Sequence, residues 1–175
     1  MKNFKKNKIG ILGGTFDPAH KGHIKISMKA KKKFHLDKVI WAITKKNPFK
    51  EKSYMSLKKR IIFAKKLSKK DNFIKIQFFE NKLKSNRILD LISYLRKKNQ
   101  NTDYYFIMGA DNLINLHKWH GWKKIISKCQ VLVFDRSRYK AKSLKSIAYK
   151  KFNKKGIEFI NLKKVNISSS QLRKI

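Results

Sequence analysis

Cysteine, proline, acidic residues and long apolar runs are what this chain is short of. Its single cysteine, Cys129, excludes an intramolecular disulfide and a cysteine-based zinc site. It fits a reducing, cytoplasmic setting. Two prolines and seven glycines leave no Pro/Gly/Ser-rich linker, so residues 1–175 read as one domain. No apolar stretch approaches the roughly 18 residues that cross a bilayer, so no membrane span is expected. The apolar run Ile9–Leu12 is also too short for the core of a secretory signal. Ten acidic residues against 46 basic ones give a formal net charge of +36. So few carboxylates argue against a metal cage built by the protein, and none is expected.

The basic excess suggests nucleic acid as a partner. Its distribution argues for non-specific attraction at most. Only six of the 46 basic residues are Arg, and the Lys residues run through most of the expected helices and loops. Lys, Asn and Ile share A/T-rich codons, so base composition accounts for the bias without a binding site. Such a surface still draws in anions, and nucleotides are anions. A hydrophobic content of 41% with 12% aromatics is enough for a packed core.

Apolar periodicity alternates strand and helix along the chain. Strands are expected at Lys8–Leu12, Lys38–Thr44, Phe73–Phe79, Tyr104–Met108, Gln130–Asp135 and Ile157–Asn161. Between them, His20–Phe34, Ser56–Ser68, a stripe from Ile88 to Leu95, Trp122–Lys128 and Ser143–Phe152 read as helices. Another helix is expected from Ser168. Leu57, Ile61, Ala64 and Leu67 stand at helical spacing, with Ser56 as a natural N-cap. Arg136–Lys142 reads as a polar loop. Strands separated by helices imply a doubly wound α/β fold on a parallel sheet. Ligands then bind beyond the carboxyl ends of the strands.

One block at such an end carries most of the chemistry: Gly13 to His23, GGTFDPAHKGH. It lies between the first strand and the first helix. Unpaired N–H groups and the helix dipole make that junction a natural anion site. Gly13 and Gly14 bare the backbone to a ligand, followed by Thr15 and Phe16. His20 and His23, three residues apart, fall on one face and can address one ligand. The chain has neither the P-loop pattern nor the G-x-G-x-x-G pattern.

A second block, Ile167–Arg173 (ISSSQLR), sets three hydroxyls, Ser168, Ser169 and Ser170, at a helix start with Arg173 one turn on. Such a start also forms a phosphate cradle. A third, Gly109-Ala110-Asp111-Asn112-Leu113 with Trp119 downstream, combines a carboxylate acceptor with a large aromatic ring. His117 and His120 beside it read as surface residues. A fourth, Asn47-Pro48-Phe49-Lys50, brings Lys50 to the loop after the second strand.

Together these residues resemble the nucleotidylyltransferase superfamily, and within it the nicotinate-nucleotide adenylyltransferase family. GGTFDPAHKGH resembles the superfamily's GxFDPxHxGH signature, and ISSSQLR resembles its ISSTxIR motif, with Ser170 where Thr is usual. Gly109–Trp119 resembles the G-x-D-x-L-x(5)-W element. The resemblance implies a Rossmann-like nucleotidylyltransferase fold. It implies adenylyl transfer from ATP to nicotinate mononucleotide, with Mg²⁺ entering on ATP. It assigns catalysis to His20, His23 and Arg173. ATP binding falls to Gly13, Gly14, Thr15, Phe16, Ser168, Ser169, Ser170 and Arg173, and mononucleotide binding to Asp111, Trp119 and Lys50. A related adenylyltransferase, such as one acting on phosphopantetheine, is the near alternative; a basic nucleic-acid-binding protein is the distant one. The family's Thr-x-x-Thr at the start of the helix after the third strand is missing. Arg87-Ile88-Leu89-Asp90-Leu91 stands there instead, with Asn86 or Arg87 as the available substitutes.

If the charge acts only through general attraction, binding to labelled DNA and RNA is weak, sequence-blind and lost on going from low to physiological salt. Tight, sequence-selective binding at physiological salt in the same titration would make nucleic acid the true partner.

Overall fold

The computed structural model describes residues 6–46, 53–135, 139–153 and 155–162. Its first half runs β1 (Asn7–Gly14), α1 (Lys21–Phe34), β2 (Lys38–Ile43), α2 (Leu57–Leu67), β3 (Ile74–Phe78), α3 (Glu80–Leu83) and α4 (Ile88–Lys98). Its second half runs β4 (Thr102–Gly109), α5 (Ala110–Asn115), a 3₁₀ turn (Leu116–Lys118), α6 (Trp122–Lys128), β5 (Gln130–Phe134), α7 (Lys140–Leu144), α8 (Ile147–Phe152) and β6 (Ile157–Ile160). None of the described helices is long and apolar enough to cross a membrane.

The six strands pair in the order β3-β2-β1-β4-β5-β6, every pair parallel. Parallel strands covered on both faces read as unbroken apolar runs, which is how β1, β2 and β5 are written. One core gathers Leu12, Trp41, Ile26, Ala30 and Ala64 under α1 and α2. The other gathers Ile11, Phe106, Leu89, Ile92, Leu113 and Ile125 under α4, α5 and α6. The chain therefore winds β1 to β3 along one side of the sheet and β4 to β6 along the other. Between β1 and β4 the order reverses, the place beyond whose carboxyl ends ligands bind in open α/β sheets. Register sets Gly14 of β1 beside Ile43 of β2, and Leu12 beside Ile107 of β4.

Local signals set most helix ends. Ser56 caps α2, its Oγ accepting the Lys59 N–H at 3.3 Å. α1 starts one residue later than expected, because His20 serves as its cap. β1 extends two residues past the expected Leu12, so Gly13 and Gly14 belong to the strand, held by pairing with β2.

Two expectations are corrected. The single helix at Ser143–Phe152 is two, α7 and α8. Ser146 interrupts it: its Oγ accepts the Tyr149 N–H at 3.3 Å, and a fresh cap replaces continued helix. The expected loop Arg136–Lys142 already contains the start of α7 at Lys140; Arg136–Arg138 lie outside the described residues. The short α3 had no apolar period to announce it. The helix expected from Ser168 also lies outside the described residues.

Gly121 opens α6 at φ 62°, and a Cβ there would sit 2.4 Å from Leu89 Cδ2 of α4. Strain in the left-handed region adds to overpacking, so Gly121→Ala is expected to cost about 1–3 kcal/mol. Urea unfolding should show a lower midpoint with an unchanged slope.

Candidate active site

The junction of β1 and α1 is built by two imidazoles capping one another. His20 is the N-cap: its Nδ1 accepts the Gly22 N–H at 3.1 Å. The Nδ1 of His23 accepts the His20 N–H at 3.1 Å. This is the reciprocal geometry of a capping box, carried by histidines in place of Ser and Glu. Both Nδ1 atoms are acceptors, so each neutral ring carries its proton on Nε2. The ring centroids stand 3.9 Å apart. No acidic residue occupies the first turn of α1, and the positive end of a helix dipole favours an anion. The expected helical-face pairing of His20 and His23 is thus achieved with His20 just outside the helix.

Behind the pair lies an aromatic platform. Phe16 takes φ 49°, a conformation that costs a non-glycine residue about 1–3 kcal/mol. Burial of its ring compensates. It stacks on Trp41 with centroids 4.9 Å apart and an 18° tilt, and its centroid is 4.7 Å from that of His23. Trp41, wholly buried on β2, meets His23 edge-on at 5.7 Å. Its indole N–H donates to Ser27 Oγ at 2.8 Å, and the Ser27 hydroxyl donates to the His23 carbonyl at 2.8 Å. His23 is therefore held by ring, backbone and cap together.

Gly13 and Gly14 are not required by the protein's own packing. A Cβ at Gly13 would meet Phe106 at 3.6 Å and Ile88 at 3.9 Å; one at Gly14 would meet the Phe16 ring at 3.5 Å. These are ordinary contacts, and neither glycine takes a positive φ. The backbone at both positions is bare of side chains at the end of β1.

Below this turn sits Arg60 of α2, 2% exposed. Its Nη1 donates to the carbonyls of Thr15 (2.6 Å) and Thr44 (2.8 Å), its Nη2 to Lys45 (3.1 Å) and its Nε to Met55 (3.1 Å). Burial lowers its pKa; the charges of Asp17 and Glu80 work in the opposite direction. Asp17 accepts the N–H groups of Tyr54 (2.6 Å) and Met55 (2.9 Å). Glu80 accepts the Lys45 N–H at 3.1 Å and the Thr44 hydroxyl.

After the neighbouring strand β4, Gly109 caps α5 and Asp111 stands in its first turn. Trp119, half-buried, lies 6.1 Å from Phe106, which borders Gly13. Two contacts therefore connect Gly13 to Trp119. His120 is exposed as expected, but His117 is half-buried. α4 starts beside the same strand end, since its Ile88 borders Gly13. Where Thr-x-x-Thr is missing, Ser85 Oγ accepts the Arg87 N–H at 3.1 Å and donates to Asp90 at 2.6 Å. Asn86 and Arg87 are exposed at this helix start. Cys129 is buried and its thiol is pushed up to about 12 by burial, so it is no nucleophile at neutral pH.

The structure thus brings Gly13, Gly14, Thr15, Phe16, His20, His23, Asp111 and Trp119 to one end of the sheet. Lys50, Ser168, Ser169, Ser170 and Arg173 lie outside the described residues. Sequence reasoning missed Arg60, Trp41, Ser27 and Glu80. For Arg60 a signal existed: it stands three residues after Leu57 and four before Ala64, on the apolar stripe of its helix. A charged residue on a buried face announces a polar partner there.

Residues 11–175 match the model of the cytidylyltransferase-like family. A probable nicotinate-nucleotide adenylyltransferase of Pelagibacter ubique is 65% identical over 99% of this chain and 96% of its own length. One of Clostridium tetani is 33% identical over 95% of this chain and 85% of its own. A solved structure of Plasmodium falciparum nicotinic acid mononucleotide adenylyltransferase, complexed with NaAD, shares the fold at a TM-score of 0.74. It is 19% identical and covers 96% of this chain and 83% of its own.

Ser27→Ala would leave the buried Trp41 N–H without an acceptor, a loss of about 1–3 kcal/mol. Denaturant unfolding of this variant beside wild type checks it; equal stability would remove the Ser27 bridge from the platform.

Proposed function

The chain belongs to the nicotinate-nucleotide adenylyltransferases of the cytidylyltransferase-like family, and from that premise we propose that it joins ATP to nicotinate mononucleotide. The products are nicotinate-adenine dinucleotide and pyrophosphate, a step of NAD biosynthesis. The observation that carries this reading is the His20–His23 cap at the start of α1, bared by Gly13 and Gly14 at the switch point of the sheet.

A phosphate oxygen of the mononucleotide attacks the α-phosphorus of ATP in line. The bond from that phosphorus to the bridging oxygen breaks, and pyrophosphate leaves with the electron pair. No covalent enzyme intermediate is needed; catalysis rests on position and charge. The Nε2–H groups of His20 and His23 donate to the ATP phosphates as negative charge shifts in the transition state. Backbone of Gly13, Gly14, Thr15 and Phe16 lies against the nucleotide. In this reading Ser168, Ser169, Ser170 and Arg173 hold the departing pyrophosphate, and Asp111, Trp119 and Lys50 hold the mononucleotide. Nucleotidyltransferases generally use divalent metal ions. Among the described residues no three His, Cys, Asp or Glu side chains gather into a metal site. In this reading the cation is Mg²⁺, carried in on the phosphates of ATP. A cytoplasmic setting goes with ATP as substrate.

Incubation with Mg-ATP and, separately, nicotinate mononucleotide, nicotinamide mononucleotide and phosphopantetheine tests the reading through pyrophosphate release. Release is expected with nicotinate mononucleotide; its absence there overturns the reading. His23→Ala should remain folded by circular dichroism and lose about 10²–10³ in kcat.

A further inference from the structure

We propose that Arg60 is a positioning residue for the ATP phosphates: it sets the direction of a peptide N–H in the phosphate-binding turn. The inference rests on the reading that this turn binds ATP. Among the described residues Arg60 is the basic side chain that the fold buries. Its planar fork reaches carbonyls of three separate segments: Thr15 after β1, Thr44 and Lys45 after β2, and Met55 before α2.

The bond to Thr15 has a consequence on the far side of the same peptide. In a trans peptide the C=O and N–H point in opposite directions. With the Thr15 carbonyl turned to Arg60 at 2.6 Å, the N–H of Phe16 is turned away from it. Phe16 sits at φ 49°, a conformation a non-glycine residue keeps only when its surroundings impose it. The stacked Trp41 imposes it through the ring, and Arg60 through the preceding carbonyl. The N–H of Phe16 is thereby aimed without any group of its own that could set it.

The same guanidinium ties this turn to the loop after β2. Glu80 of α3 closes that loop from outside, accepting from the Lys45 N–H and the Thr44 hydroxyl. Asp17 closes the segment before α2, accepting from Tyr54 and Met55. The two carboxylates facing Arg60 are therefore each committed to a loop that Arg60 also holds. Lysine cannot take over. Its donors radiate from one nitrogen and do not span carbonyls on three segments, whereas arginine's five N–H donors are fixed in a plane.

Arg60→Lys separates positioning from mere support. It is assayed at a temperature where circular dichroism shows it fully folded. Misdirected donors cost about 10- to 100-fold in kcat/KM for ATP, with KM for the mononucleotide unchanged. Calorimetric affinity for a non-hydrolysable ATP analogue should fall in parallel. A folded variant with wild-type ATP parameters overturns the proposal. If Arg60→Lys does not fold, Glu80→Ala, which releases only the outer side of the tie, is expected to weaken analogue binding in the same direction; unchanged binding overturns the proposal. Wild-type protein that binds the analogue but releases no pyrophosphate with nicotinate mononucleotide sinks the functional reading alone, and the affinities still judge Arg60. Wild-type protein that binds no ATP analogue overturns both.

Discussion

The reciprocal cap between His20 and His23 is the interaction on which the site's geometry depends. A helix start leaves N–H groups unpaired, and most proteins meet that demand with Ser, Thr or Asp. Here two imidazoles meet it with their Nδ1 atoms. Capping is worth about 1 kcal/mol, a modest gain in stability. Its larger consequence is chemical. Each ring is committed to one tautomer and one orientation, with the donor on Nε2. The groups that terminate the helix are thus the groups that can stabilise charge on a phosphate. Trp41, Phe16 and Ser27 reinforce the arrangement through packing, so the cap is rigid in position as well as direction.

Charge is used in two different ways. Forty lysines are spread through the chain, and a net charge of that sign attracts anions in general. Their effect is long-ranged and screened by salt. The buried guanidinium of Arg60 acts at hydrogen-bond distance, where screening is weak, and it acts on backbone carbonyls. The few carboxylates are placed accordingly: Asp17 and Glu80 both serve the loops that Arg60 holds. A chain with ten acidic residues has spent two of them on one network.

How legible the molecule was depended on the range of the signal. β1, β2 and β5 announced themselves as unbroken apolar runs, and α2 by its stripe and Ser56 cap, because burial on both faces and capping are local in sequence. The break between α7 and α8 was less legible, since a serine within an amphipathic stretch fits a helix interior or a new cap. In the candidate site, the closeness of His20 and His23 to one another was legible from their spacing. Trp41 and Ser27 were not, because an aromatic in a strand and a serine in a helix are commonplace until packing sets them 2.8 Å apart.

By itself the sequence determined the class of fold, the alternation of strand and helix, and the block where a phosphate can be met at a helix start. Each follows from interactions within one turn or one strand. Only the tertiary structure decided which side chains back that block. The parallel order β3-β2-β1-β4-β5-β6 brings Trp41 of β2 behind His23, Phe106 of β4 beside Gly13, and Arg60 of α2 beneath Thr15. The physical reason is that a buried polar group finds its partners wherever the sheet brings carbonyls together, and strand order, set by the packing of both faces at once, decides where that is.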